Sequence, residues 1–149
     1  MKPPERITLP PHAYVPGVNG RHDPGVFAPF HASVCDAMGP EDLAQSIAWR
    51  AGWEFVQAGY YWEAHEVLEA VWSVLRPGSE ERLFVQAIIQ AANAALKLEM
   101  QRPKATLKLC RIAQDLLTPV RGRVAVMGRP VDDVKTFLKA VRRGAESMV

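Results

Sequence analysis

The densest chemistry in the chain lies between Tyr60 and Trp72, where Glu63, His65, Glu66 and Glu69 stand among Tyr60, Tyr61, Trp62 and Trp72. On a helix each residue turns the chain by about 100°, so His65 and Glu69, at i and i+4, share a face. That spacing lets both bind one divalent cation. His65 is equally a candidate general base, and Glu66 or Glu69 a candidate acid whose pKa burial would raise. Glu63, Glu66 and Glu69 follow one another at i, i+3 and i+6, where like charges repel on an isolated helix, so something must compensate them.

Three chemistries fit these residues. For a metal centre, His65-Glu66 matches the first half of a His-Glu-x-x-His zinc helix. Glu69 takes the place of that motif's second histidine, and no second Glu-x-x-His pair completes a di-iron bundle site. His65 and Glu69 therefore need a third ligand, for which His31 and His22 are candidates. For a small-molecule pocket, Tyr61, Trp62 and Trp72 would be walls, and Glu66, Glu69, Gln86 and Gln90 the converging polar groups. For a structural network, each glutamine offers two donors and an acceptor to carboxylate and imidazole, which fixes helix register. No serine or cysteine nucleophile motif, phosphate-binding glycine loop or cofactor fingerprint occurs.

The elements that must position these groups are two helices. The first is predicted over about Tyr60 to Leu75 and is closed by Arg76-Pro77-Gly78-Ser79. The second is predicted from Ser79 or Glu80 to Gln101, with Ser79 as cap. The middle of this second helix, Leu83 to Leu96, is apolar nearly all round, as befits a central helix. Its exceptions, Arg82, Gln86, Gln90, Asn93 and Lys97, fall within an arc of about 80°. A turn of about four residues makes the two helices antiparallel neighbours whose paired positions sum to about 155. Glu69 then lies level with Gln86, His65 with Gln90, Trp62 with Asn93 and Trp72 with Leu83.

Around this pair the pattern predicts a helix from Gly39-Pro40 to Ala58, stopped by Gly59 and apolar on two sides. Gly52 within it is a candidate for a close helix contact. A further helix opens at Pro103 and ends near Thr118-Pro119, and another starts at about Val131. Between them, Val120 to Pro130 is a loop with the short apolar run Val124-Ala125-Val126-Met127. Residues 1–40 hold 8 of the 12 prolines, which predicts an extended arm rather than a helix. Tyr14, Val15, Val26, Phe27 and Phe30 are too apolar for a solvated tail, so the arm is expected across the domain surface or on a partner subunit. The expected organisation is an arm over 1–38 and a helical bundle over 39–149.

With 149 residues, 48% of them hydrophobic, the chain has material for one domain and its core. No apolar run reaches the roughly 18 residues of a membrane span, and Met1-Lys2-Pro3-Pro4-Glu5-Arg6 lacks the core of a signal peptide, so a cytoplasmic protein without membrane contact is expected. Cys35 and Cys110 form neither a Cys-x-x-Cys pair nor a framework, and no disulfide is predicted. The net charge of +2 hides an asymmetry: residues 1–96 carry 6 basic and 11 acidic side chains, residues 97–149 carry 12 and 5. Lys104, Lys108 and Arg111 share a helix face, but no nucleic-acid motif accompanies them, so nucleic acid is not an expected partner.

The segments Gly59-Tyr60-Tyr61-Trp62-Glu63-Ala64-His65-Glu66-Val67-Leu68-Glu69 with Trp72, and Gln86-Ala87-Ile88-Ile89-Gln90-Ala91-Ala92, resemble a small helical family catalogued as domain of unknown function 309. Leu9-Pro10-Pro11-His12-Ala13-Tyr14-Val15-Pro16-Gly17 is similar to its versions with an N-terminal extension. The resemblance implies an all-helical bundle whose signature falls on Glu63, His65, Glu66, Glu69, Trp72, Gln86 and Gln90; it implies no activity. Ala87 stands where the family has a glycine. The expectation is an all-α, single-domain bundle of about five helices with a buried His/Glu/Gln site, acting as a non-enzymatic small-ligand-binding or structural, self-associating homo-oligomeric protein. The alternative is a hydrolase-like enzyme in which His65 and Glu69 bind a divalent metal and Glu66 is the base.

Overall fold

Proline, glycine and serine punctuate the chain at the boundaries of its helices. The computed structural model describes residues 6–149, so positions 1–5 of the expected arm lie outside the described residues. In chain order the helices are α1 (Ala28–Ala32), α2 (Pro40–Leu43), α3 (Ile47–Ala58), α4 (Tyr61–Val74), α5 (Glu80–Glu99), α6 (Pro103–Leu116) and α7 (Val131–Glu146). Strands β1 (Ala125–Val126) and β2 (Arg129–Pro130) form a small antiparallel hairpin between α6 and α7. The fold is thus all-α apart from one two-residue ladder. The described residues hold five longer helices, α3 to α7, and the short α1 and α2, where about five helices were expected.

One helix of the expected set is broken. The run from Gly39 to Ala58 divides because Ser46 is extended, with ψ 149°, and its hydroxyl donates to Leu43 O at 2.7 Å while accepting from Trp49 N at 3.2 Å. A single buried hydroxyl thus closes α2 and caps α3. The other boundaries follow local chemistry. Gly59 ends α3 in the left-handed region at φ 85°, Ser79 caps α5 by accepting from Arg82 N, and Pro103 opens α6.

The helix α5 runs through the middle, packed by α4, α6 and α7, while α3 covers α4. Its Phe84, Val85, Ala87, Ile88, Ala91, Ala92, Ala94 and Ala95 are buried, and these belong to a single core with Phe55, Val67, Leu68, Val71, Val134 and Leu138. Small residues let helices approach. A methyl group on Gly52 would overlap the Leu68 side chain, so Leu68 of α4 packs directly on the α3 backbone there. On the other side of α5, the Thr106 hydroxyl of α6 lies 3.0 Å from Ala94 O, a hydrogen bond in an otherwise apolar contact.

The arm folds back on its own chain. Tyr14 and Phe27 are buried, and α1 packs on α3 and α4. The hairpin tip is pinned to α3, where the Trp49 indole N–H donates to Met127 O at 2.9 Å.

Candidate functional site

The outward side of α4 is where the arm lands. The helix α4 buries Ala64, Val67, Leu68 and Val71 in the core. Trp62 and Glu66 lie on roughly the opposite side of the helix, and Glu63 on its flank. Proline turns carry the arm over that surface: Pro24–Phe27 forms a 3-10 turn that continues into α1.

Glu63 is the centre of the contact. It is wholly buried, at 0% exposure. Its Oε2 accepts the Tyr14 amide at 2.7 Å and meets His22 Nε2 at 2.5 Å. A carboxylate can only accept, so Nε2 carries the shared hydrogen. The other oxygen, Oε1, is buried without a protein partner. The His22 side chain is itself only 2% exposed. His12 stacks on it with ring centroids 4.4 Å apart, and His12 Nε2 donates to Gly20 O at 2.6 Å. Trp62 completes the enclosure, meeting Tyr14 edge-on at 5.2 Å and Phe27 at 5.7 Å.

This charge reaches α5. The Glu99 carboxyl is raised above its ordinary pKa by desolvation and secondly by Glu63, and the Tyr61 hydroxyl is raised by burial and secondly by Glu99.

The remaining signature residues sit in a different environment. His65 Nε2 lies 3.2 Å from Glu69 Oε2, with side chains 33% and 58% exposed. Glu66 is half-buried, and with Glu69, Ala70 and Ser73 it borders a shallow depression of about 290 Å3 that His31 of the arm completes. Gln86 and Gln90 are half-buried on α5, and no hydrogen bond joins them to His65 or Glu69 among the described residues. The reason is rotational: His65 and Glu69 lie about 100° to 140° round α4 from the stripe that packs the core, so they reach solvent and pair with each other. The Arg82 guanidinium lies 3.8 Å from the centre of the Trp72 ring, and its Nε donates to Trp72 O at 3.2 Å.

The alternative, metal-dependent reading places an ion on His65 and Glu69, with His22 or His31 as a third ligand. The arm brings His22 to Glu63 and His31 to the side of Glu66 and Glu69. Among the described residues there is no group of three or more His, Cys, Asp or Glu side chains placed to hold a metal ion.

Sequence reasoning missed Tyr14 and Phe27 as site residues, although their apolar character in a proline-rich arm was the signal that the arm is packed. A second concave surface was also missed. It is a cleft of about 850 Å3 away from α4, between α2, the start of α3 and the hairpin tip.

No curated protein and no solved structure is a match for this chain. A family model does match, over most of α3, all of α4 and α5 and the first half of α6. Residues 49–109 match the model of the family described as Domain of unknown function (DUF309).

Proposed function

We propose that the protein is a non-enzymatic small-ligand-binding protein in which the Glu63 centre is a structural latch for the arm. One observation carries this reading: Glu63 is fully enclosed, and both of its partners, the Tyr14 amide and His22, come from the arm. A catalytic carboxylate has to meet substrate, whereas a latch has to be shielded from water. The apolar arm residues Tyr14 and Phe27 are packed on the chain's own Trp62, which favours an arm that completes the fold over one that recruits a second copy. His65 and Glu69 supply two donors, short of the three protein ligands of a catalytic zinc.

The test is purification without chelator, followed by elemental analysis and melting in the presence of a varied small-molecule set. Binding predicts a ligand-dependent rise in Tm and less than about a tenth of an equivalent of metal. A stoichiometric transition metal lost on His65→Ala would replace this reading with the metal-dependent hydrolase. Melting that no compound shifts would leave only the structural role.

A further inference from the structure

The cleft between α2, α3 and the hairpin contains two residues held in conditions that a folded protein ordinarily avoids. Its volume of about 850 Å3 suits a small organic molecule. Met127 lines it in the left-handed region at φ 50°, a conformation that costs a non-glycine residue about 1 kcal/mol. The turn is held there by the Trp49 indole, whose N–H is bound to Met127 O at 2.9 Å, and Trp49 lines the same cleft.

Arg129 is the second. Its Nε is buried without an acceptor, and its nearest carboxylate oxygen, Asp133 Oδ2, is 3.8 Å from NH1, beyond hydrogen-bond length. The guanidinium lies 5.0 Å from the Trp53 ring centre, and the side chain is 25% exposed. Burial lowers the Arg129 pKa against the opposing fields of Asp133 and Glu54. A partly dehydrated guanidinium matches an oxyanion, and because Nε is shut off from solvent, NH1 and NH2 are the donors left to grip one from the cleft.

The charges around it are arranged to suit. Arg123, also on the cleft, is engaged by Glu80 at 2.9 Å. Of the cleft's carboxylates, Glu41 and Asp42 are exposed to solvent screening, and the half-buried Glu81 lies 3.8 Å from the Arg123 guanidinium, which offsets its charge. We infer that the cleft binds a small organic anion, its carboxylate or phosphate on Arg129 and its apolar body against Trp49 and Met127. This assignment rests on the ligand-binding reading above and gives it a site and a ligand class.

The experiment titrates 15N-labelled full-length protein with phenyl phosphate, benzoate and neutral benzyl alcohol, following the Trp49 indole resonance, assigned from a Trp49→Phe spectrum. Phenyl phosphate or benzoate should move that resonance saturably while Trp72 stays in place, and Arg129→Gln should weaken binding at least about tenfold. The two anions tell a phosphate site from a carboxylate site. No saturable movement at about 10 mM of either anion, or equal binding in Arg129→Gln, overturns the assignment. Should Arg129→Gln not fold, benzyl alcohol binding as tightly as the anions in the unmodified protein overturns it instead. Melting in the same samples separates the two claims: stabilisation by other compounds with the Trp49 resonance unmoved ends the anion site and leaves ligand binding standing.

Discussion

His22 and Glu63 are 41 positions apart in the chain and 2.5 Å apart in the fold, each shielded from water. This contact turns a proline-rich arm into part of the domain. A buried carboxylate without a partner is strongly unfavourable, so α4 in this conformation demands the arm, and the arm in turn is held by Glu63.

Glu63→Gln keeps the shape but replaces one acceptor oxygen by a donor. Both arm donors share Oε2, which the amide oxygen can replace, but the hydrogen bonds lose their charge and the new NH2 is buried at the Oε1 position without an acceptor, so a loss of about 1–3 kcal/mol is expected. Urea unfolding measures it, and limited proteolysis should cut the arm sooner than in the unmodified protein.

The contrast is His65→Ala. Because His65 pairs with Glu69 at the surface, its removal is expected to change stability by less than about 1 kcal/mol, measured in the same urea experiment. A loss as large as that of Glu63→Gln would contradict the exposed geometry.

Gly52→Ala places a methyl group in the Leu68 side chain and should destabilise by about 1–3 kcal/mol. The clash predicts coupling. In Gly52→Ala with Leu68→Ala, the combined loss should fall short of the sum of the single losses.

Two residues past the end of α5, Gln101 stands exposed at φ 62°, with Arg102 N bonded to Lys97 O at 2.9 Å. Gly59 serves α3 at the equivalent place without strain. Gln101→Gly should therefore raise stability by about 0.5 kcal/mol, seen as a higher Tm.

Glu99 gives a pH signature. Desolvation, and secondly Glu63, raise its folded pKa above the ordinary 4.5, so between those two values the folded state keeps a proton that the unfolded state releases. Its contribution is full below the unfolded pKa and is lost as pH rises through the folded one. Glu99→Gln should flatten that decline and, at neutral pH, stabilise by no more than about 1 kcal/mol because the group is exposed. Urea midpoints across the acid range test it.

The helices from α3 onward were legible because what starts and stops them is local, whereas α1 was not, since its segment was expected to be extended. Pro40, Gly59, Ser79 and Pro103 act on backbone groups within a turn of themselves, and the expected boundaries fall within about two residues of those observed. Ser46 was not legible as a break, since its hydroxyl had to be seen on both Leu43 O and Trp49 N. Gly52 was marked as a close contact, but only packing identifies Leu68 as its neighbour.

The α4 cluster divides in the same way. Sequence by itself determined that Glu63, His65, Glu66 and Glu69 are crowded on one helix, because an α-helix sets neighbours three and four residues apart. Tertiary structure alone decided that Glu63 is buried under Tyr14 and His22 while Glu69 faces solvent. It alone brought Arg129 and Met127 beside Trp49, 78 positions from Met127. Helical periodicity is written into successive residues, but which polar side chain loses its water depends on how distant segments close over it, and that is settled by packing of the whole chain.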